Sequence, residues 1–287
     1  MRGPFVVAEA CCNHGGKLEV ARLMIRMAAR AGADYIKFQK RDNRLLLSPE
    51  QYAAPHPVPE NAYGATYGEH REALEFDIEE HRQLKDWCEE EGIGYACSVF
   101  DLPSAQLIAG LRPDYIKVPS LANLNRPMLE YLLEAYGGGI HISTGMTTGE
   151  ELARLVGLVR ERGAIDRVVW YACTSGYPTP YEAIHLPWVE EISRHFGRAC
   201  TGFSGHHHGI AIDAAAVALG AGWIERHFTL DKGAKGTDHV MSLEPHELEQ
   251  LVRDVRHVRA AMTPRPDGVL DVEVGTRKRL KIPAEWM

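Results

Sequence analysis

Eight short apolar runs rich in β-branched or aromatic residues recur along the chain, and helical spacing fills the clearest of the intervals between them. The runs are "FVVAEACC" (5–12), "DYIKFQK" (34–40), "GYACSVF" (94–100), "DYIKVPS" (114–120), "GIHISTG" (139–145), "VVWYACT" (168–174), "CTGFSGH" (200–206) and "WIERHFT" (223–229). Helical periodicity is plainest over 18–32, 78–92, 149–163, 211–222 and 244–262, with glycine closing the second and third of these. Strand–helix alternation demands right-handed crossovers and a parallel sheet. Eight such units in 287 residues predict an α/β fold, a closed (β/α)8 TIM barrel that uses nearly the whole chain. One interval breaks the rhythm. The connection at 41–77 is far longer than usual and holds prolines and aromatics, which marks it as a candidate lid or substrate loop.

Charge and composition narrow the function. A formal charge of −7 argues against a general nucleic-acid binder. The basic stretch "RKRLK" (277–281) reads as a solvated tail. No apolar run approaches the length of a membrane span, and "MRGPFVVAEA" lacks the pattern of a signal peptide, so a cytoplasmic protein is expected. Cys11, Cys12, Cys88, Cys97, Cys173 and Cys200 show no C-x-x-C spacing and read as reduced core thiols.

A barrel keeps its chemistry at the C-terminal ends of its strands, and there the polar residues collect. In strand order they are Glu9 with Asn13 and His14; Lys37 and Gln39, two apart and so on one face; Ser98; Lys117 and Ser120; Ser143 and Thr144; Thr174 and Ser175; Ser204 and His206; Glu225 and His227. Lysine inside a strand is costly unless it is paired or meets an anion. Lys37 and Lys117, with serines at neighbouring strand ends, outline a pocket for phosphate or for phosphate plus carboxylate. The alternative is that each lysine pairs with Glu9 or Glu225 for structural reasons alone. His206 and His227 end adjacent strands, about 5 Å apart between backbones. They can share one divalent ion while leaving positions open for substrate. In "GFSGHHHGIA" (202–211), His207 then points away from the pocket and His208 begins the next turn. Glu9 could serve as acid, base or contact, and Asp238 in "DKGAKGTDH" (231–239) as a contact or simply a loop cap.

These positions resemble the sialic acid synthase family, through "AEACCNHGG", "AGADYIKFQ", "YGEHREALEF", "YIKVPS", "ISTGM", "ACTSGYPTP", "GFSGHHHGIA" and "IERHFTLDKGAKGTDHVMSLEP" in that order, from about residue 5 to residue 262. The resemblance implies a transferase that condenses phosphoenolpyruvate with an aldose or other aldehyde. C3 of the enol adds to the carbonyl, water adds at C2, and phosphate leaves by C–O cleavage to give a 2-keto-3-deoxy acid. It implies a divalent ion on His206 and His227, manganese first, with magnesium or cobalt as alternatives, acting as Lewis acid. It sets Lys37, Lys117, Ser98, Ser120, Ser143 and Ser204 around phosphoenolpyruvate. Glu9, Gln39, Tyr177, Glu225 and Asp238 are set around the ion, the reacting centre or the sugar, and a homodimer is implied.

Three departures concern the sugar end. Ala122 stands where the family pattern has glutamate, Gly205 where it has aspartate, and Ser175 where asparagine is common. Residues 1–263 read as the barrel and 264–287 as a linker-like tail, without the family's antifreeze-like domain, whose arginine helps recognise an N-acyl sugar. An acceptor other than N-acetylmannosamine is therefore expected. Two other readings remain at this point: a metal-dependent sugar isomerase or aldolase on the same barrel, and a degenerate, non-catalytic relative.

Overall fold

A computed structural model describes residues 3–282 and closes eight parallel strands into one barrel in chain order. The strands are β1 (Phe5–Glu9), β2 (Tyr35–Lys40), β3 (Gly94–Val99), β4 (Tyr115–Val118), β5 (Gly139–Ser143), β6 (Val168–Cys173), β7 (Thr201–Gly205) and β8 (Trp223–His227). The helices are α1 (Leu18–Arg30), α2 (Asn43–Leu46), α3 (Pro49–Ala53), α4 (Tyr67–Ala73), α5 (Ile78–Glu91), α6 (Leu102–Gly110), α7 (Arg126–Ala135), α8 (Gly149–Glu161), α9 (Pro187–Phe196), α10 (Ala211–Leu219), α11 (Pro245–Ala261) and α12 (Asp271–Leu280). Among the described residues, no helix is long and apolar enough to cross a membrane.

The strands are buried on both faces, but the two faces differ in kind. Outward residues such as Val6, Ala8, Ile36, Phe38, Ile116, Val118, Ile140 and Ile142 pack with Met24, Ile25, Leu84, Leu132 and Leu251 of the helices in one continuous core. Each such aliphatic side chain contributes about 1.5–3 kcal/mol by leaving water. Inward residues form a separate small cluster of Val7, Ala96 and Tyr115, flanked by Tyr35 and Trp223. Tyr115 stacks on His141 at 3.7 Å between ring centroids, and the Trp223 ring meets His141 at 4.5 Å. These rings fill the N-terminal end of the barrel interior, so its polar residues lie toward the opposite end.

The elements are shorter than their apolar runs because ladder pairing and helical hydrogen bonding stop before the hydrophobic pattern does. Helix α5 opens on a reciprocal Asp77–Glu80 cap and ends where Gly92, at φ 70°, takes the left-handed turn. Helix α8 opens on the equivalent Thr148–Glu151 cap.

The 41–77 connection is not an irregular loop. It folds into α2, α3 and α4, with Ser48–Gln51 and Thr66–Glu69 caps starting the latter two. Tyr63 donates to the Lys235 carbonyl at 2.7 Å, and the Gly236 N–H donates to Asn61 Oδ1 at 3.2 Å. The excursion is thereby tied to the loop after β8. The basic stretch at 277–281 is exposed as expected, yet most of it is helical rather than irregular. It occupies the last turn of α12, where cations oppose the negative end of the helix. Residues 283–287 of the predicted tail lie outside the described residues.

Candidate active site

Strand register assembles the site. Glu9 on β1 lies beside Lys37 on one side and His227 on the other. Ser98 is level with Lys117, and Ser204 with Glu225. With a two-residue period, these positions share the inner face. They open on a cavity of about 350 Å³. Glu9, Lys37, Gln39, Ser98, Lys117, Ser120, Ser143, Tyr177, Ser204, His206, Glu225, His227 and Asp238 all line it.

Two buried ion pairs form its floor, so the lysines are both paired and pocket-facing. Lys37 bonds to Glu9 and donates to Ser98 Oγ at 2.6 Å, with Glu225 Oε1 at 3.7 Å. Lys117 reaches both Glu225 oxygens at 2.9 Å, and Ser204 donates to the same carboxylate at 3.1 Å. The Lys117 ammonium also sits 3.7 Å above the Tyr171 ring. Burial is the largest influence on each group and opposes its charge. For Lys37 it is outweighed by Glu225 and Glu9, and the pKa lies above the ordinary lysine value. For Lys117 it prevails over Glu225, and Lys37 adds to the lowering. For Glu225 the two lysines overcome burial and hold the carboxyl at about 2. The floor thus presents two ammonium groups and two carboxylates with hydroxyls between them.

The rim carries the groups that could hold a metal. His206 Nδ1 is 3.0 Å from the Thr174 carbonyl, which engages one ring nitrogen and leaves Nε2 for another partner. Its ring lies 5.2 Å from that of His227. His227 Nδ1 is buried without a hydrogen-bond partner. Cys11, His227 and Asp238 each offer a donor atom within 4.8 Å of the other two. Cys11 Sγ donates to Asp238 Oδ2 at 2.8 Å and lies 3.1 Å from Gln39 Nε2. Gln39 Nε2 also donates to Glu9 Oε1 at 2.9 Å, linking rim to floor. Orphaned imidazole nitrogen, sulfur and carboxylate together make a donor set that fits a divalent ion.

Four expectations change. Thr174 and Ser175 do not line the cavity. The Thr174 hydroxyl donates to the Ala183 carbonyl at 2.8 Å, and Ser175 Oγ is buried with no partner. Both follow the end of β6, where the inward–outward alternation stops. Asn13 lines the cavity but spends its amide on the Phe228 carbonyl and Ser242 Oγ, both at 2.9 Å. Three of the six cysteines, Cys11, Cys12 and Cys173, line the cavity rather than the apolar core, and all six are free thiols. The departure at Gly205 has a steric cause, because a Cβ there would stand 2.7 Å from the His207 ring and 2.9 Å from that of Phe203. His207 itself points out of the barrel, as alternation requires.

Arg41, Tyr63, Tyr67 and Arg71 also line the cavity and were not singled out from the sequence. Arg41 lay within reach, since it continues the Lys37–Gln39 alternation and donates to Gln39 Oε1 at 2.5 Å. The other three lie deeper in the 41–77 excursion, whose path no periodicity reveals. Arg71 bonds to Asn43 Oδ1 at 3.3 Å and Tyr67 Oη at 3.5 Å. Among the described lysines and arginines of the cavity, it alone has no carboxylate partner.

Comparison with known proteins identifies the family. A profile of the NeuB family matches residues 24–265. N-acetylneuraminate-9-phosphate synthase of Homo sapiens is 38% identical across 96% of this chain and 76% of its own length. N,N'-diacetyllegionaminic acid synthase of Campylobacter jejuni is 33% identical across 98% and 83%. The solved N-acetylneuraminic acid synthetase of Leptospira borgpetersenii, in complex with citrate, superposes with a TM-score of 0.82 at 26% identity, covering 97% of this chain and 93% of that one.

Proposed function

The chain belongs to the NeuB family, and from that premise we propose that it condenses phosphoenolpyruvate with an aldose to give a 2-keto-3-deoxy sugar acid and phosphate. The catalytic unit of this reading is residues 1–263, with 264–287 outside it, acting as a homodimer. The observation that carries it is the convergence of Lys37 and Lys117, 2% and 1% exposed, on one cavity beside Ser98, Ser143 and Ser204. Two ammonium groups held in low dielectric, with hydroxyls at neighbouring strand ends, suit a small ligand bearing both a phosphate and a carboxylate.

In this reading Lys37 and Lys117 bind the donor anion and hold its enol carbon toward the rim. Glu9 and Glu225 keep those lysines charged, and Ser98, Ser143 and Ser204 bond to phosphate or carboxylate oxygens, with Ser120 nearby. Glu9, which accepts a hydrogen bond from Gln39, is the floor carboxylate that would accept a proton from the water adding at C2. Tyr177 stands against His206 at 4.3 Å and narrows the way in. His206, His227 and Asp238 would hold a divalent ion, which would supply Lewis-acid activation of the aldehyde.

The acceptor is read from Arg71. A half-buried guanidinium in the cavity wall without a carboxylate partner suits an aldose that itself carries an anionic group. The name of the human relative points the same way, since a phosphate at the far end of the product is one the acceptor brought with it. The test is phosphate release from phosphoenolpyruvate across N-acetylmannosamine, mannose, shorter aldoses and their phosphates, with and without manganese, magnesium, cobalt or zinc. Release requiring both aldehyde and metal, with heavy oxygen from the bridging position retained in phosphate, is the expected result. Conversion of a sugar without phosphoenolpyruvate overturns the reading in favour of an isomerase or aldolase.

A further inference from the structure

We propose that Cys11 is a thiolate ligand of the rim metal, so that sulfur, nitrogen and oxygen from Cys11, His227 and Asp238 hold the ion and bias the site toward zinc, cobalt(II) or iron(II). This rests on the proposed metal-dependent reaction and specifies the ion's surroundings. A pair of histidines alone is a weak site, whereas an added thiolate discriminates strongly against manganese and magnesium.

Three observations carry the inference. The donor atoms of Cys11, His227 and Asp238 already lie within 4.8 Å of one another. Ligands about 2.0–2.3 Å from a tetrahedral ion stand roughly 3.3–3.8 Å from each other, so side-chain shifts of about an ångström would close the set around an ion. His227 is 9% exposed, lines the cavity, and its Nδ1 has no hydrogen-bond partner, so the rim holds an imidazole with unmet bonding capacity. Cys11 is 5% exposed and is not packed as an apolar thiol. Its sulfur contacts one carboxylate oxygen at 2.8 Å and one amide nitrogen at 3.1 Å. The first contact is the proton-bearing counterpart of a shared ion, and the second, from Gln39, is a donor aimed at the sulfur.

The exchange balances simply. The ion enters, the Cys11 S–H proton leaves to solvent, and the Sγ–metal bond replaces the Sγ–H···Oδ2 contact, freeing Asp238 Oδ2 to ligate. No electrons move. His206, whose Nδ1 faces the Thr174 carbonyl, is the adjacent nitrogen donor, and a coordination position stays open to the aldehyde.

The experiment strips the full-length protein with chelator and titrates it with cobalt(II) chloride, reading absorbance. A near-ultraviolet thiolate-to-cobalt charge-transfer band is expected in the wild type and in Cys12→Ser. It is expected to vanish in Cys11→Ser, whose zinc affinity should fall at least tenfold while its manganese affinity changes less than about threefold. Should Cys11→Ser fail to fold, the wild type still decides the matter. Zinc is expected to shield Cys11 from iodoacetamide, read by peptide mass spectrometry. Visible cobalt bands without charge transfer, or Cys11 alkylated equally with and without zinc, overturn the inference and leave the metal-dependent reaction standing. Absence of any cobalt binding overturns both.

Discussion

Two pairs of neighbours in the chain, His206–His207 and Glu225–Arg226, are divided by the barrel wall. The first member of each faces the cavity, and the second faces outward toward α10. Outside, Arg226 meets Asp213 Oδ2 at 2.5 Å, the His207 carbonyl at 2.6 Å and the Gly209 carbonyl at 2.7 Å. Inside, Glu225 is shared between Lys117 and Lys37 beside Ser204. Both networks are sealed from bulk water, with Arg226 and Lys117 each 1% exposed. Buried charge by itself therefore marks no active site. The inner network borders open volume into which several donors converge, whereas the outer one surrounds its own atoms and ties the β7–α10 connection to β8.

The sharpest way to break this contrast is to remove one cation from the inner pair. Lys117→Met should lower kcat/KM for phosphate release by about a thousandfold, the scale of losing a preorganised anion contact in a water-poor site. A variant keeping more than a tenth of wild-type activity would place Lys117 with the structural ion pairs instead. The outer counterpart is Asp213→Ala, which leaves the Arg226 guanidinium without its carboxylate. Breaking a buried pair costs about 3–5 kcal/mol, so the urea midpoint should drop sharply. Turnover per folded molecule should stay within about twofold of wild type, and a kinetic defect larger than the stability loss would erase the distinction.

The inner network was legible in the sequence and the outer one was not, for one geometric reason. Alternation along a strand states which residues share a face, so Lys37 with Gln39, and Ser204 with His206, could be paired from their spacing. It states nothing about the partner across a crossover. Asp213 meets Arg226 because α10 returns against β8, and only the folded chain brings them together. The same limit hid the meeting of Cys11 with Asp238, which depends on the loop after β8 returning over the end of β1. Thr174 lies past the end of β6, and its hydroxyl turns to the Ala183 carbonyl. The barrel itself was readable because eight repeats of one unit leave few topologies.

Histidines sharpen the comparison through pH. His206 inside, and His81 outside against Tyr95, are each held at about 3, burial being the chief cause in both. Unfolded histidine titrates near 6.5. Between about 6.5 and 3 the unfolded chain thus binds protons that these folded rings refuse, and stability falls as pH drops through that window. His81→Gln deletes one such group without touching the cavity. It should flatten the slope of unfolding free energy against pH by about 1.4 kcal/mol per unit there, measured by urea titration at successive pH values. An unchanged slope would mean that His81 is protonated in the fold.

The smallest expected effect tests where the inner region ends. Tyr63 belongs to the 41–77 excursion, and its hydroxyl reaches the Lys235 carbonyl at 2.7 Å, next to the loop that delivers Asp238. The contact is exposed, so Tyr63→Phe should cost only about 0.5–1.5 kcal/mol. If the excursion positions the acceptor, that cost appears as a rise of about threefold in KM for the aldehyde. KM for phosphoenolpyruvate and kcat should then hold nearly constant, because the donor floor is built on strands that the substitution does not reach. Equal rises in both KM values would instead mean that rim and floor move as one body, and the division between a rigid donor end and an adjustable acceptor end would have to be given up.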